Sequence, residues 1–175
     1  DFNNWELSPG YRMTSKGGGV WELVLPKRAV KHGDLFKWHI FWDGGDGERL
    51  PSYATRCVQD EVTHTFSAQV WAPSREYKWK SPRAPKVENP LIYETHIGMA
   101  GEEPAVATFK DFTKNVLPRI AKLGYNTVQI MALQEHPYYG SFGYQVSNFF
   151  AASSLYGKSE DLKKLIDTAH SMGIA

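Results

Sequence analysis

The chain contains one cysteine, Cys57, so no internal disulfide can form. Its six histidines are scattered, and none has a cysteine or a second histidine at the spacing that zinc sites use. The glycine-rich stretches do not stand between a strand and a helix, where a loop that cradles phosphates would need them. We therefore expect no metal, no nucleotide and no other cofactor.

A strong charge of either sign is also absent. The 20 basic and 19 acidic side chains leave a formal net charge of +1, with the two signs interspersed. Such a balance provides no basic surface for nucleic acid or for an anionic membrane. No apolar stretch is long enough to cross a bilayer, and residues 1–4 do not begin a secretory signal. We expect an intracellular protein with a neutral partner and no contact with nucleic acid or membrane.

Aromatic residues are abundant, at 14% of the chain with six tryptophans. Up to residue 71 the apolar residues occur in short runs bounded by turn-forming sequences, which predicts strands over 20–25, 35–42 and 65–71. We interpret residues 1–71 as a β-sandwich. Its core is expected to contain four of the tryptophans, namely Trp5, Trp21, Trp38 and Trp42.

Residues 72–90 combine prolines with charged side chains, a composition that disfavours both helix and strand. The prolines are Pro73, Pro82, Pro85 and Pro90. We interpret this segment as a connector that lies across a surface, and we place the boundary between two domains there.

The periodicity changes after the connector. Two apolar runs, 91–97 and 126–133, have the length of buried strands, and each is followed by a segment with helical periodicity. Residues 174–175 begin another apolar run. This order predicts the opening of a parallel β/α repeat. A closed (β/α)8 or TIM barrel needs eight such units and roughly 250 residues, so residues 91–175 would supply only its first units. We expect a fragment, truncated at both ends.

The ends of both helices have sequence signals. Thr108 and Asp111 form a variant of the capping box, and Gly124 is expected to end the first helix. Pro118 lies inside that helix, which predicts a kink or a division into two pieces. Ser159 is the expected N-cap of the second helix.

The loop over residues 134–145 directly follows the second predicted strand, and loops in this position carry the ligand chemistry of barrels. Flat rings cover a sugar face while polar groups reach its hydroxyls, so the composition of this loop suits a polyhydroxylated ligand. The candidate contacts are Tyr144, Gln145, His136, Glu135 and Tyr139. The plainer interpretation is packing, because a strand-end Glu-His pair often orients a loop. On the first barrel strand, Glu94 and His96 are expected to hydrogen-bond across the interior.

The loop and three further segments resemble the α-glucan branching enzymes of the α-amylase family, glycoside hydrolase family 13. The three segments are 91–98, 115–120 and 148–154, in the order and approximate spacing that this family shows. The sequence of residues 138–142 is similar to that of the eukaryotic-type branching enzymes. The resemblance implies a catalytic barrel from residue 91. For residues 1–71 it implies the carbohydrate-binding module that precedes the barrel, with matching signatures at 1–5, 21–23 and 48–51.

The resemblance also implies a reaction. Such enzymes cleave an α-1,4-glucan, hold it as a covalent intermediate and transfer it to a 6-hydroxyl, which requires two carboxyl groups about 5 Å apart. In the family the nucleophile and the acid/base follow the fourth and fifth strands, and a third carboxylate that stabilises the transition state follows the seventh. No catalytic residue is therefore expected in this chain. Tyr144 is implied to stack on the sugar and Gln145 to hydrogen-bond to it. The partner would be glycogen, amylose or starch, in the cytoplasm or, for a plant protein, in a plastid.

One position departs from the family pattern. Leu155 stands where the family commonly has an arginine, so the anchoring of this loop is in question. Two other functions remain open. The first is a non-catalytic α-glucan-binding protein, and the second is an isoamylase-like debranching enzyme, which the match over residues 144–154 disfavours.

Overall fold

The computed structural model describes residues 2–175, so Asp1 of the 1–5 signature lies outside the described residues. The strands before residue 72 are β1 (Thr14–Gly17), β2 (Val20–Glu22), β3 (Leu35–Phe36), β4 (Trp38–Trp42), β5 (Gly45–Arg49), β6 (Cys57–Gln59) and β7 (Phe66–Gln69). They form two antiparallel hairpins, β1–β2 and β4–β5, and a three-stranded antiparallel sheet in the order β3–β7–β6. Each of the three predicted runs contains a strand, but β2 ends at Glu22 and β7 covers only Phe66–Gln69, and 35–42 divides into two strands.

The prediction that the tryptophans form a core is wrong for this arrangement. Trp5, Trp21, Trp38 and Trp42 are 45%, 63%, 38% and 47% exposed. In the described part of the chain, the strands of each of the two hairpins hydrogen-bond only to each other, and their tryptophans remain partly in solvent. The buried residues here are small instead, and they include Ala54, Cys57 and Ala68.

After the connector the elements are β8 (Ile92–His96), α1 (Phe109–Asp111), a π-helical segment (Phe112–Val116), α2 (Leu117–Lys122), β9 (Thr127–Met131), β10 (Gln134–Glu135), β11 (Asn148–Ala152) and α3 (Ser159–Ser171). Strands β8 and β9 are parallel, with Ile92 opposite Thr127. The Ala175 N–H donates to Asn126 O, and its carbonyl accepts from Val128 N, both at 2.9 Å. Ala175 therefore makes ladder-like hydrogen bonds beside β9, at the position where the sequence predicts the next strand.

Pro118 divides the first helix, which confirms the expected break. The π-helical segment precedes it, and Leu117 N donates to Phe112 O, five residues back. This wider turn places Pro118, which has no N–H, in the first turn of α2, where no intrahelical donor is needed. The capping box at the start of α1 is present, because Thr108 Oγ1 accepts from Asp111 N at 3.2 Å.

The predicted cap of α3 is wrong by one residue. Lys158 occupies the N-cap position and Ser159 is the first helical residue. The N–H of Lys158 donates to Asp161 Oδ2 at 3.2 Å, so a carboxylate in the first turn satisfies the backbone donor of the N-cap residue.

The main core lies between β8, the divided helix and α3. Its buried residues are Ile97, Phe109, Phe112, Leu117, Ile120, Tyr156, Leu165, Ala169 and Ile174. A second, smaller cluster adds Ala151 of β11 to the alanines and Cys57 of the antiparallel sheets. The two parts of the chain therefore share one packed contact, made of side chains small enough to bring the backbones close together.

The connector, residues 72–90, is irregular as predicted and is held by Asp167 of α3. Its carboxylate accepts from Tyr77 Oη at 2.9 Å, from Lys80 N at 3.0 Å and from Ser81 N at 2.6 Å. Burial opposes the charge of Asp167, but these donors outweigh it and keep the pKa of the carboxyl below its usual range. Burial, together with the bond to Asp167, raises the pKa of Tyr77 to about 12.

We expect Asp167→Ala to release the connector, because the variant leaves two backbone N–H groups and a hydroxyl without their acceptor. Amide hydrogens over residues 77–82 should exchange roughly tenfold faster, while those of β8 and β9 change little. Glu76→Ala, which removes an exposed carboxylate of the same connector, is the control. Equal exchange in the two variants would show that Asp167 does not hold the segment.

Candidate functional site

The candidate loop connects β10 to β11, and its two ends lie side by side because these strands pair. In these two antiparallel strands Gln134 is opposite Ala152, and Glu135 is opposite Asn148. At the end of the loop, Ser147 donates to the carbonyl of Glu135 twice, from its N–H at 2.8 Å and from its hydroxyl at 3.1 Å. Residues 136–147 therefore leave and re-enter the fold at one point, which positions everything between.

A close backbone contact orients the tip of the loop. Gly143 has φ +80°, and a Cβ at this position would lie 2.3 Å from the Cβ of Ala132. Only glycine accommodates both the left-handed backbone and this approach. Phe142 before it is also left-handed, at φ +51°. The two positive φ angles turn the chain just before Tyr144.

Tyr144 and Gln145 face solvent. The Tyr144 side chain is 81% exposed, and Gln145 is exposed beside it. The backbone of Tyr144 is held, because its N–H donates to Ser141 O at 3.0 Å. An aromatic ring on an ordered backbone, with a carboxamide next to it, can cover a sugar face and hydrogen-bond to its hydroxyls. The structure therefore brings these two predicted residues together on one accessible surface.

Glu135 and His136 lie elsewhere, because both are buried. Glu135 Oε2 accepts from Ser154 N at 2.9 Å, and His136 Nδ1 lies 2.9 Å from Gln134 O. The predicted role as substrate contacts does not fit side chains that solvent cannot reach. The alternative from the sequence, a pair that orients its own loop, fits these bonds.

Burial also alters the chemistry of Glu135. Removal from water raises the pKa of its carboxyl to about 7, although the hydrogen bond from Ser154 acts in the opposite direction. Three buried side-chain atoms have no hydrogen-bond partner among residues 2–175, namely Glu135 Oε1, His136 Nε2 and Ser153 Oγ. Each such group has a desolvation cost, so a proton on Glu135 is favoured.

Tyr139 is half-buried and packs inward. Its ring meets that of His96 edge-on at 5.9 Å. His96 Nδ1 accepts from Met99 N at 3.3 Å, so in the neutral ring Nε2 carries the proton and donates to Tyr156 Oη at 3.2 Å. Burial lowers the pKa of His96, and nearby His136 lowers it further. The predicted internal hydrogen bonding is confirmed for His96, whose partner Tyr156 sequence analysis missed, and is wrong for Glu94, which is exposed on β8.

The segment around Leu155 is anchored without the family's arginine at that position. Arg56 directly precedes β6 and lies far from this segment in the sequence. It donates from Nη1 to Gly157 O at 3.3 Å. Its guanidinium also stacks on Trp71, 4.6 Å from the ring centre. Trp71 in turn donates from Nε1 to Glu160 Oε1 at 2.9 Å. A guanidinium and an indole from the first part of the chain thus hold the start of α3.

Neither a metal site nor a membrane-spanning helix is found among the described residues. Over 2–175, no group of three His, Cys, Asp or Glu side chains is arranged to hold a metal ion. In the same range, no helix combines the length and the apolar character needed to cross a membrane.

The fold matches solved structures of carbohydrate-active enzymes. A Group B Streptococcus pullulanase is 20% identical with a TM-score of 0.75, covering 93% of this chain and 27% of that one. The catalytic module of a glycogen-degrading pneumococcal virulence factor is 18% identical with a TM-score of 0.72, covering 93% of this chain and 30% of that one. No family model matches the chain. These likenesses show the class of fold, which this chain shares with those two carbohydrate-active enzymes.

Sequence relatives narrow the class. Proteins named 1,4-alpha-glucan-branching enzyme are 47% identical in Aspergillus oryzae, 42% in Saccharomyces cerevisiae and 44% in Arabidopsis thaliana, each over 99% of this chain. The match covers 26%, 27% and 22% of those proteins, so the chain spans about a quarter of their length. The chain belongs to the 1,4-alpha-glucan-branching enzyme family, as a segment of such a protein.

We expect Glu135→Gln to change how stability depends on pH. The folded pKa of about 7 exceeds the ordinary 4.5, so the protonated form stabilises the fold at low pH, and this contribution is lost as pH rises from about 4.5 to 7. The variant cannot ionise and should lack this loss, on the order of 1–3 kcal/mol. Urea unfolding at several pH values measures the difference.

Glu103→Gln, which neutralises an exposed carboxylate, is the matched control and should follow the wild type. Parallel stability curves for the wild type and Glu135→Gln would show that Glu135 ionises in the fold as it does in water.

Proposed function

We propose that the protein to which this segment belongs makes α-1,6 branches in glycogen or starch. It would cleave an α-1,4-glucan, retain the chain as a covalent glycosyl intermediate and transfer it to a 6-hydroxyl. The observation that carries this proposal is the exposed Tyr144 on a loop with a firmly closed base. The α-glucan would be the partner, in the cytoplasm or in a plastid of a plant cell.

The same proposal includes a domain organisation. Residues 1–71 would be part of a β-sandwich carbohydrate-binding module, 72–90 the connector, and 91–175 the first units of a (β/α)8 barrel. The parallel pair β8–β9 and the bonds of Ala175 to β9 support the barrel, because successive parallel strands are how such a barrel begins. The antiparallel hairpins support a separate all-β module.

Within the site, Tyr144 would stack on a glucose ring and Gln145 would bind its hydroxyls. Tyr139 would pack beneath the loop, with only its edge near the glucan. Glu135 and His136 would act through the loop that they position. The carboxylates that carry out transfer would come from later barrel strands, so this segment contributes one wall of a sugar subsite.

A debranching enzyme is the nearest alternative within the same fold. The pullulanase that shares the fold is 20% identical, whereas the branching enzymes reach 47% over 99% of the chain. A glucan-binding protein without activity is the alternative from another class. Carboxylates after the fourth, fifth and seventh barrel strands, read from the coding sequence of the longer protein, would distinguish an enzyme from it.

In the full-length enzyme, Tyr144→Ala should lower kcat/KM on amylose by on the order of 10–1000-fold, because lost ring stacking costs about 1–3 kcal/mol and the sugar is positioned less well. Tyr144→Phe keeps the ring and should cost much less. Initial rates measure both variants. Full activity of Tyr144→Ala at unchanged Tm would show that Tyr144 only packs. An equal loss of kcat/KM in Tyr144→Phe would show that the hydroxyl, and not ring stacking, carries the role.

The 175-residue chain by itself should bind maltoheptaose but leave the iodine staining of amylose unchanged. The physical reason is that a positioned sugar does not react without the two carboxyl groups. A change in staining above that of a heat-treated sample, with contaminating enzyme excluded, would contradict this assignment of roles.

A further inference from the structure

The backbone is left-handed at two places that meet in space, directly after β9 and at the tip of the candidate loop. Ala132 has φ +57° and Phe142 has φ +51°. These angles are unfavourable for any residue with a Cβ, because the Cβ comes too close to the carbonyl oxygen that follows. Such strain persists only where surrounding contacts maintain it, and it is concentrated at functional sites. The strain at Ala132 therefore directs attention to the contact that this backbone makes possible.

That contact is with Gly143. A Cβ on Gly143 would lie 2.3 Å from the Cβ of Ala132 and 2.6 Å from its Cα. The methyl group of Ala132 thus fills the space beside Gly143 where a side chain would otherwise stand. The backbone at the tip of the loop is packed directly against the residue that follows β9.

The ring of Phe142 gives the tip of the loop a second support. It meets the ring of His96 edge-on, with the ring centres 6.1 Å apart. His96 is the last residue of β8 and is opposite Met131, the residue before Ala132. The two supports therefore lie side by side, at the carboxyl ends of two paired parallel strands.

The direction of the Tyr144 ring depends on these supports. The side chain is 81% exposed, so packing around the ring does not fix it. The backbone does so instead, because Phe142 and Gly143 turn the chain and the Tyr144 N–H donates to Ser141 O at 3.0 Å. A ring that is already oriented binds a sugar more tightly than one that must be ordered on binding.

We propose that Ala132 is a positioning residue for Tyr144, and that its strained backbone is retained because it places the methyl group against Gly143. The identity of the ligand at Tyr144 rests on the proposed function, whereas the contact rests on the geometry of the two residues. Two effects of opposite sign follow. A glycine at position 132 would relieve the strain and stabilise the fold, and it would also loosen the loop.

The test begins with two substitutions that relieve the same strain at different places. Ala132→Gly removes the methyl group and the left-handed penalty together. His64→Gly is the matched control, because His64 is exposed, has the same φ of +57° and lies between β6 and β7. Urea unfolding should show a folding equilibrium constant that is about two- to fivefold higher in both variants than in the wild type.

Amide hydrogen exchange separates the two variants. In Ala132→Gly the Tyr144 amide, which the bond to Ser141 protects, should exchange about three- to tenfold faster, while the amides of β8 and β9 keep their wild-type rates. In His64→Gly the Tyr144 amide should exchange as in the wild type. Ala132→Ser keeps the Cβ and should restore the wild-type rate.

Affinity for a sugar chain is the functional measurement. The 15N-labelled variants are titrated with maltoheptaose and followed at the amides of residues 138–145. Ala132→Gly should bind about three- to tenfold more weakly than the wild type, whereas His64→Gly and Ala132→Ser should bind equally well. Damage to the fold would lower stability and affinity together, so higher stability with lower affinity identifies positioning.

Three outcomes would overturn the inference. A loss of stability in Ala132→Gly, with faster exchange throughout the chain, would show that Ala132 is an ordinary packing residue. An unchanged rate at the Tyr144 amide would show that the methyl group does not order the loop. Faster exchange with unchanged affinity would show that the order does not serve the sugar. If the wild-type chain binds no maltoheptaose, the proposed sugar contact fails, and the exchange rates still decide whether Ala132 positions Tyr144.

Discussion

The loop that presents Tyr144 depends on the closure of its base by Glu135. The backbone carbonyl of this residue accepts two bonds from Ser147, and its carboxylate accepts one from Ser154. These bonds join three successive parts of the chain at one buried residue. Residues 136–147 would otherwise have the freedom of an open loop, and ordering each of them costs on the order of 1–2 kcal/mol. A well-positioned Tyr144 is thus a consequence of interior hydrogen bonding several residues away.

Hydrogen bonds of this kind also join the part of the chain before the connector to the part after it. The fully buried side chains of the cluster they share are small, namely Ala54, Cys57, Ala68 and Ala151. Directional bonds do the rest. Asp167 holds the connector, Asn148 holds the turn before Tyr53, and Arg56 holds the backbone at Gly157. Because these acceptors and donors are largely removed from water, each bond is costly to leave unmade.

This arrangement leaves the aromatic side chains free for the surface. The core around β8 and α3 takes Phe109, Phe112 and Tyr156, whereas Trp38, Tyr53 and Tyr144 remain exposed. A neutral chain with exposed rings is suited to an uncharged, polyhydroxylated ligand rather than to phosphates. The exposed ring of Tyr144 on its loop is an example of this arrangement.

Local signals determined much of the fold. Apolar runs placed β8, β9 and α3, the missing N–H of Pro118 required a break in the helix, and turn-forming glycines marked the ends of elements. These features depend on neighbours within a few residues, so they can be read without a structure. The N-cap of α3 could not, because Lys158 and Ser159 are adjacent and only the backbone geometry decides which of them is the first helical residue.

The sequence by itself indicated the family, the strands β8 and β9 with the helices that follow them, and the loop that holds the candidate residues. Only the tertiary structure decided which of those residues reach solvent. Glu135 and His136 stand nine and eight residues before Tyr144, yet burial separates them from it because Ser147 and Ser154 return to the base of the loop. Likewise, a tryptophan has the same apolar pattern in a covered sheet and in an open hairpin. Whether another layer covers it depends on contacts between distant segments, which no local pattern specifies.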